Sequence, residues 1–139
     1  MDKKKIILVS HGRLSEGMLH SVQMIVGENP DISCMGMLPD EHYQPMVDAV
    51  EQQLKEHPDT QYIVIADLLG GSVCNGMTAL TGYPNMKLVA GMNMGLVINL
   101  LLASGALTDE EIDAKIKEAK DINQRVVLEK SYGESDDFF

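Results

Sequence analysis

Tryptophan is absent, and aromatic residues make up only 4% of the 139-residue chain. Its core must therefore be built from Ile, Val, Leu, Met and Ala, and a chain of this length buries about two-thirds of its unfolded surface. Basic residues are scarce: 11 Lys and Arg stand against 21 Asp and Glu, a formal charge of −10. That balance argues against nucleic acid, whose phosphates would be repelled, and favours partners with a neutral or basic docking face. Cysteine occurs twice, as Cys34 and Cys74, neither with a metal-ligand partner at close spacing. Both read as small, buried, reduced thiols. Long hydrophobic runs are also missing. The first apolar stretch ends after four residues at Ser10-His11, far short of an export signal, and Leu96–Ala103 is interrupted by Asn99 and too short for a bilayer. The expected location is the cytoplasm.

Two stretches stand out in what remains. In Lys5-Ile6-Ile7-Leu8-Val9-Ser10-His11-Gly12, four apolar residues bounded by lysines and by Ser-His-Gly fit a strand buried on both faces. In Tyr62-Ile63-Val64-Ile65-Ala66-Asp67-Leu68-Leu69-Gly70-Gly71-Ser72, a second such strand runs into a carboxylate and then a Gly-Gly-Ser turn. If both strands are parallel and central, His11 and Asp67 emerge at the same sheet edge, where open α/β sheets bind ligands. Taken alone, His11 could equally be a loop residue that ends a strand.

Between and beyond them the pattern alternates. A helix follows Gly12 and ends at Gly27, a strand covers Ile32 to Leu38, and a helix runs from Pro45 to His57. The Gly-Gly-Ser turn opens a helix reaching Leu80, Met86 to Met92 is a fourth strand, and Asn93 to Ala103 is a helix apolar nearly all round, hence largely buried. Thr108 and Glu111 have capping-box spacing for the next helix, and Asp121–Lys130, centred on Val126-Val127-Leu128, reads as a last strand. The expectation is an open, doubly wound, mainly parallel α/β sheet with helices on both faces. It forms one domain over residues 1–130, followed by an acidic tail over 131–139. The direction of the last strand does not follow from the pattern.

Four roles can be weighed for His11 with Asp67. One His and one Asp make a poor metal site, with His42 as the only candidate third ligand. The Gly-x-Ser-x-Gly elbow of a hydrolase is missing, as are Gly-x-Gly-x-x-Gly and a P-loop lysine. The fourth role is a histidine that carries a phosphoryl group. It needs a neutral imidazole nitrogen as nucleophile and a carboxylate on the other N–H. It also needs donors for phosphate oxygens, which a Gly-Gly-Ser turn at a helix start supplies. No metal or other cofactor is required, and every unusual feature at that edge is used.

Ile-Ile-Leu-Val-Ser-His-Gly followed by Glu16-Gly17-Met18, then Asp67-Leu68-Leu69-Gly70-Gly71-Ser72 with Asn75, and finally Gly91-Met92-Asn93, resembles the IIA component of the mannose-type sugar phosphotransferase system (PTS). The resemblance runs from about Ile6 to Arg125. It implies that His11 is the phosphorylated histidine, taking phosphate from phospho-HPr and passing it to a IIB protein or domain, with the membrane IIC and IID components involved only indirectly. It makes Asp67 the carboxylate that orients the imidazole, and Gly70, Gly71 and Ser72 the phosphate-binding turn. It further implies a homodimer whose last strand pairs antiparallel with a neighbouring subunit's sheet edge, an exchange that would explain the unplaced strand. A regulatory domain of the same fold, controlled by His11 phosphorylation, is the alternative, and a flavodoxin-like binder lacks its Ser/Thr phosphate loop.

The chain departs from that family's pattern where Val73 replaces the usual Pro, where Leu69 replaces a common aromatic, and where Met94-Gly95 replaces Leu-Pro. These differences leave the phosphate-bearing residues intact and fall on the docking rim. His20, His42 and His57 read as ordinary surface or capping histidines, Arg13 as an exposed helix-start residue, and Met92 and Met94 as possible lining of a partner groove.

Overall fold

Ile6, Ile7, Leu8 and Val9 are each 1% exposed or less, a burial on both faces that only an inner strand of a covered sheet provides. In the structure, a computed structural model that describes residues 1–128, they form the middle of β1 (Lys3–His11). The chain continues through α1 (Leu14–Val26), β2 (Ile32–Met37), α2 (Gln44–Glu56), β3 (Thr60–Ala66), α3 (Ser72–Thr78), β4 (Met86–Ala90), α4 (Met94–Leu102) and α5 (Asp109–Ala119). All strand pairs are parallel and the order across the sheet is β2-β1-β3-β4. The expected doubly wound α/β architecture is therefore present.

Strand alternation feeds two cores. Ile6, Leu8, Ile63, Ile65 and Val89 pack with Val22 of α1, Leu96, Val97 and Leu100 of α4 and Ile112 of α5. Ile7, Val9, Val64, Ala66 and Met86 pack with Val47, Val50 and Leu54 of α2 and with Val73 and Met77 of α3. The strand order reverses between β1 and β3, so α1 leaves β1 over one face while α3 leaves β3 over the other. A crevice opens between the carboxyl ends of these two strands, the place where such sheets hold ligands.

Three elements differ from expectation. The helix after Gly-Gly-Ser stops at Thr78 and tightens into a 3-10 turn, Ala79–Gly82. Thr78 Oγ1 donates back to Cys74 O at 3.0 Å and Thr81 Oγ1 to Thr78 O at 2.7 Å, bonds that compete with continuation of the helix. β4 ends at Ala90, because Gly91 (φ +93°) turns the chain and both its N–H and that of Met92 donate to Ala66 O. α4 buries Leu96, Val97, Leu100 and Leu101 but leaves Leu102 61% exposed.

The expected last strand is not formed within the single chain. Residues 121–128 form no strand, and Val126 and Leu128 are exposed. A strand exists through its ladder partner, and within this chain no sheet edge lies alongside the Val-Val-Leu pattern. Ile122 instead covers Gly95 at the start of α4, filling the space a side chain there would need. Residues 129–130 and the acidic tail 131–139 lie outside the described residues. The capping box does form: Thr108 Oγ1 accepts from Glu111 N–H at 3.1 Å, and Glu111 Oε1 accepts from Thr108 N–H at 3.2 Å. Among the described residues no helix is long and apolar enough to cross a membrane.

Candidate active site

His11 is the last residue of β1, and the turn beyond it is tied down from several sides. Gly12 has φ +56° and its N–H donates to Met37 O at 2.7 Å. Gly12's carbonyl lies so close to β2 that a Cβ on Gly36 would overlap its oxygen, which fixes glycine at that position. Beneath the turn, the wholly buried Ser10 and Ser15 are linked: Ser10 Oγ accepts from Ser15 N–H at 2.8 Å, and Ser15 Oγ donates to Met35 O at 3.0 Å.

Asp67 follows β3 directly, and its N–H continues the ladder to Val9 O at 3.2 Å. Its carboxylate then takes over. Oδ2 accepts from His11 N–H at 2.8 Å and lies 2.9 Å from His11 Nδ1. A carboxylate only accepts, so the ring hydrogen belongs on Nδ1, and Nε2 carries the lone pair. Ser72 Oγ sits 3.2 Å from that Nε2. The imidazole is thus gripped on both nitrogens, yet the His11 side chain remains 45% exposed while that of Asp67 is 8% exposed. Asp67 Oδ1 is buried and without a partner.

The turn between Asp67 and Ser72 is equally defined. Gly70 has φ +80°, Gly71 N–H donates to Leu68 O at 3.2 Å, and Asn75 Nδ2 donates to Gly70 O at 3.1 Å. The Cβ that Gly71 lacks would stand 3.3 Å from His11 Cε1, so its absence lets the turn close on the ring. No side chain caps α3, so its first-turn amides have no acceptor from a capping residue. The structure brings His11, Asp67, Gly70, Gly71 and Ser72 together, with Gly71's own amide committed to Leu68.

The other residues singled out fall elsewhere. Arg13 is exposed at the start of α1 and lines, with Gly12, Glu16, Cys34, Gly36 and Leu38, a shallow cleft of about 320 Å³ beside the site. Met92 and Met94 pack, partly buried, against the core of α1, α4 and α5. His42 Nδ1 accepts from Gln44 N–H at 3.0 Å and its ring stacks on Tyr43, a local capping role, and His57 ends α2. Burial, and secondarily the charge of Glu16, pushes the Cys34 thiol above its ordinary pKa, which suits a packing role rather than a reactive one. Ser10, Ser15 and Gly36 support the site without having been singled out as functional. Their signals were a small polar residue at a strand end, another at a helix start, and a glycine inside a strand pattern.

A family model described as the PTS system fructose IIA component, EIIA-man, matches residues 5–120. The chain belongs to the EIIA-man family. This EIIA-man chain is 32% identical to the mannose/sorbose-specific IIA subunit of the phosphotransferase system from Enterococcus faecalis, with a TM-score of 0.80 over 92% of this chain and 98% of that one. It is 26% identical to the sorbose-specific EIIA component of Klebsiella pneumoniae over 76% of this chain and 78% of that protein. A sorbose-specific EIIA component of Lacticaseibacillus casei is 23% identical over 96% and 99% of the two chains. The chain is a PTS IIA component of the mannose/sorbose family, a part of a sugar phosphotransferase.

Proposed function

We propose that this chain carries a phosphoryl group on Nε2 of His11, accepting it from phospho-HPr and delivering it to a IIB protein or domain in the cytoplasm. The observation that carries the reading is the alignment Asp67 Oδ2···Nδ1–imidazole–Nε2···Ser72 Oγ, at 2.9 and 3.2 Å. Asp67 holds the hydrogen on Nδ1 and so leaves Nε2 as the nucleophile. As the donor's P–N bond breaks, a P–Nε2 bond forms. The His11 ring, still bearing its Nδ1 hydrogen, becomes an imidazolium whose charge Asp67 balances, and the donor imidazole leaves neutral. No proton moves between the partners. Ser72 Oγ–H turns from Nε2 to a phosphoryl oxygen, and the uncapped amides at the start of α3, held by the Gly70-Gly71 turn, take the others.

Incubation with phosphoenolpyruvate, enzyme I and HPr should add one phosphoryl group by intact mass, mapped to the peptide containing His11. His11→Ala should abolish uptake, while His20→Ala, His42→Ala and His57→Ala should each keep most of it. Phosphate on another histidine would overturn the assignment. The same reading makes the protein a homodimer. Supporting it, the Val126-Val127-Leu128 stretch presents apolar side chains to solvent, Leu128 at 94% exposure, a liability unless a second chain covers them. Light scattering that returns a monomer mass across the micromolar range would remove that part.

A further inference from the structure

Asp67 has little to aim it but its own main chain. Both bonds to its carboxylate come from His11 and fall on Oδ2, one from the backbone N–H at 2.8 Å and one at Nδ1 at 2.9 Å. Oδ1 is buried and meets no donor among the described residues. The peptide that carries Asp67 is held instead, from both neighbours of β3. On the β1 side, Asp67 N–H donates to Val9 O at 3.2 Å. On the β4 side, the Ala66 carbonyl accepts twice, from Gly91 N–H at 3.0 Å and from Met92 N–H at 3.1 Å. The first of these is the next rung of the β3–β4 ladder, one residue past the Ala66–Ala90 pair. The second is not. In a continuing strand the following amide points away from that neighbour, and only the reversal at Gly91, with φ +93°, returns it to the same oxygen. Asn93 anchors the far end of the turn by capping α4: its Oδ1 accepts from Leu96 N–H at 2.8 Å, and Leu96 and Val97 are buried.

We propose that Gly91 is a positioning residue for Asp67: its turn sets two amides on the Ala66 carbonyl, and the resulting clamp on the Ala66–Asp67 peptide aims Oδ2 at Nδ1 of His11. The inference rests on the function proposed above and deepens it, because the tautomer so secured is the one that leaves Nε2 free to attack phosphorus. Space does not demand glycine here, since a Cβ on Gly91 would meet no atom within 4 Å. The backbone does, since a residue with a Cβ disfavours φ +93°. Gly27 is the matched case at the opposite end of the sheet. It too has positive φ, +85°, and open space for a Cβ, but it ends α1 and its N–H donates to Gln23 O.

Gly91→Ala and Gly27→Ala should lower the urea midpoint alike, yet part company at the site. The first readout is the tautomer of His11, taken from the ring nitrogen NMR shifts of phosphate-free protein held above the histidine titration range. Wild type and Gly27→Ala should carry the hydrogen on Nδ1, and Gly91→Ala should show a mixture with a resolved Nε2–H population. The second is the rate of phosphorylation by phosphoramidate, a small donor whose P–N bond breaks as the P–Nε2 bond forms and ammonia leaves. It should fall about 10²-fold in Gly91→Ala, the cost of a misplacement of about 1 Å, and stay at the wild-type value in Gly27→Ala. Asn tolerates positive φ better than Ala but prefers about +50 to +70°, so Gly91→Asn should lie between Gly91→Ala and wild type in both readouts. Unmoved ring shifts or an unchanged rate in Gly91→Ala overturns the proposal. So does an equal change in Gly27→Ala, which would reduce the effect to a general loosening. If the alanine chain does not fold, Gly91→Asn decides by the same criteria. The tautomer is read without any donor. Wild type that takes no phosphate while the ring shifts move as expected would therefore remove the phosphohistidine reading and keep the clamp.

Discussion

The two ends of the sheet treat their polar groups in opposite ways. At the amino end, buried polar side chains bolt the connections shut. Lys4 Nζ donates to Leu101 O and Ala103 O, the last carbonyls around the end of α4. Gln61 clamps Leu107 from both sides, Nε2 to its carbonyl at 2.7 Å and Oε1 to its N–H at 2.9 Å. Asn85 Nδ2 reaches the carbonyls of Leu54, His57 and Thr60. At the carboxyl end, Gly12, Gly70 and Gly91 turn the chain with positive φ, leucines face solvent, and the buried Asp67 Oδ1 has no partner. A satisfied buried bond stabilises modestly, whereas an unsatisfied one costs more than that. Both ends are braced, but among the described residues only the carboxyl end keeps a buried acceptor with unspent hydrogen-bonding capacity.

If that division is real, substitutions at the two ends should separate activity from stability. The largest effect expected is in Asp67→Asn, which should keep its far-UV circular dichroism yet transfer phosphate far more slowly. Loss of an orienting carboxylate in a Ser-His-Asp triad costs about 10⁴-fold, an upper guide here because histidine-to-histidine transfer is nearly balanced in energy. Ser72→Ala should slow uptake by about 10²-fold at most, the lower end of what one donor to a developing oxyanion is worth, again with little change in unfolding midpoint. Gln61→Leu should do the reverse. Leaving the Leu107 amide and carbonyl unpaired should cost about 2–4 kcal/mol in urea unfolding, with phosphate uptake intact well below the midpoint. Thr108→Ala, which removes half the capping box of α5, should cost about 1 kcal/mol and leave transfer unchanged. Wild-type stability retained in Gln61→Leu, or destabilised Asp67→Asn, would collapse the comparison.

The smallest effect expected sharpens it. Burial, and then the charge of Glu56, raises the Tyr62 phenol above its ordinary value of 10.0, so its contribution is complete below pH 10 and is lost as pH rises through the folded value. Lys4 runs the other way: burial lowers its ammonium despite Asp31, so its contribution is present above 10.5 and is lost as pH falls through the lowered value. Tyr62→Phe keeps Lys4 and removes the phenol. Denaturation midpoints measured from pH 8 to 11 should therefore fall less in the variant than in wild type.

Much of this was legible in the chain because the signals were local. Ile6–Val9 and Ile63–Ala66 could only be inner strands, and a polar residue directly after each placed His11 and Asp67 at one edge. Thr108 with Glu111 declared a helix start without any tertiary information. What was not legible is where the determinant is not local. Val126-Val127-Leu128 has strand composition, but a strand needs an edge to pair with, and composition says nothing of where that edge is. Gly36 is fixed by Gly12's carbonyl lying against it, a contact set by how the turn after β1 leans over β2. The role of Asn75 as a brace for Gly70 likewise depends on where α3 departs.

His11 and Asp67 are 56 residues apart in the chain, and His11 and Ser72 are 61 apart. All of α1, β2 and α2 lies between them, so no part of the reactive arrangement exists in a chain where β1 and β3 have not yet met. Joining strands across so long a stretch is a slow event, because closure entropy is lost before the pairing repays it. Under the proposed function, uptake of phosphate by His11 would be a clock on the folding of the central strand pair. Protein sampled during refolding and pulsed with a phosphodonor would be labelled molecule by molecule in the order in which that pair forms.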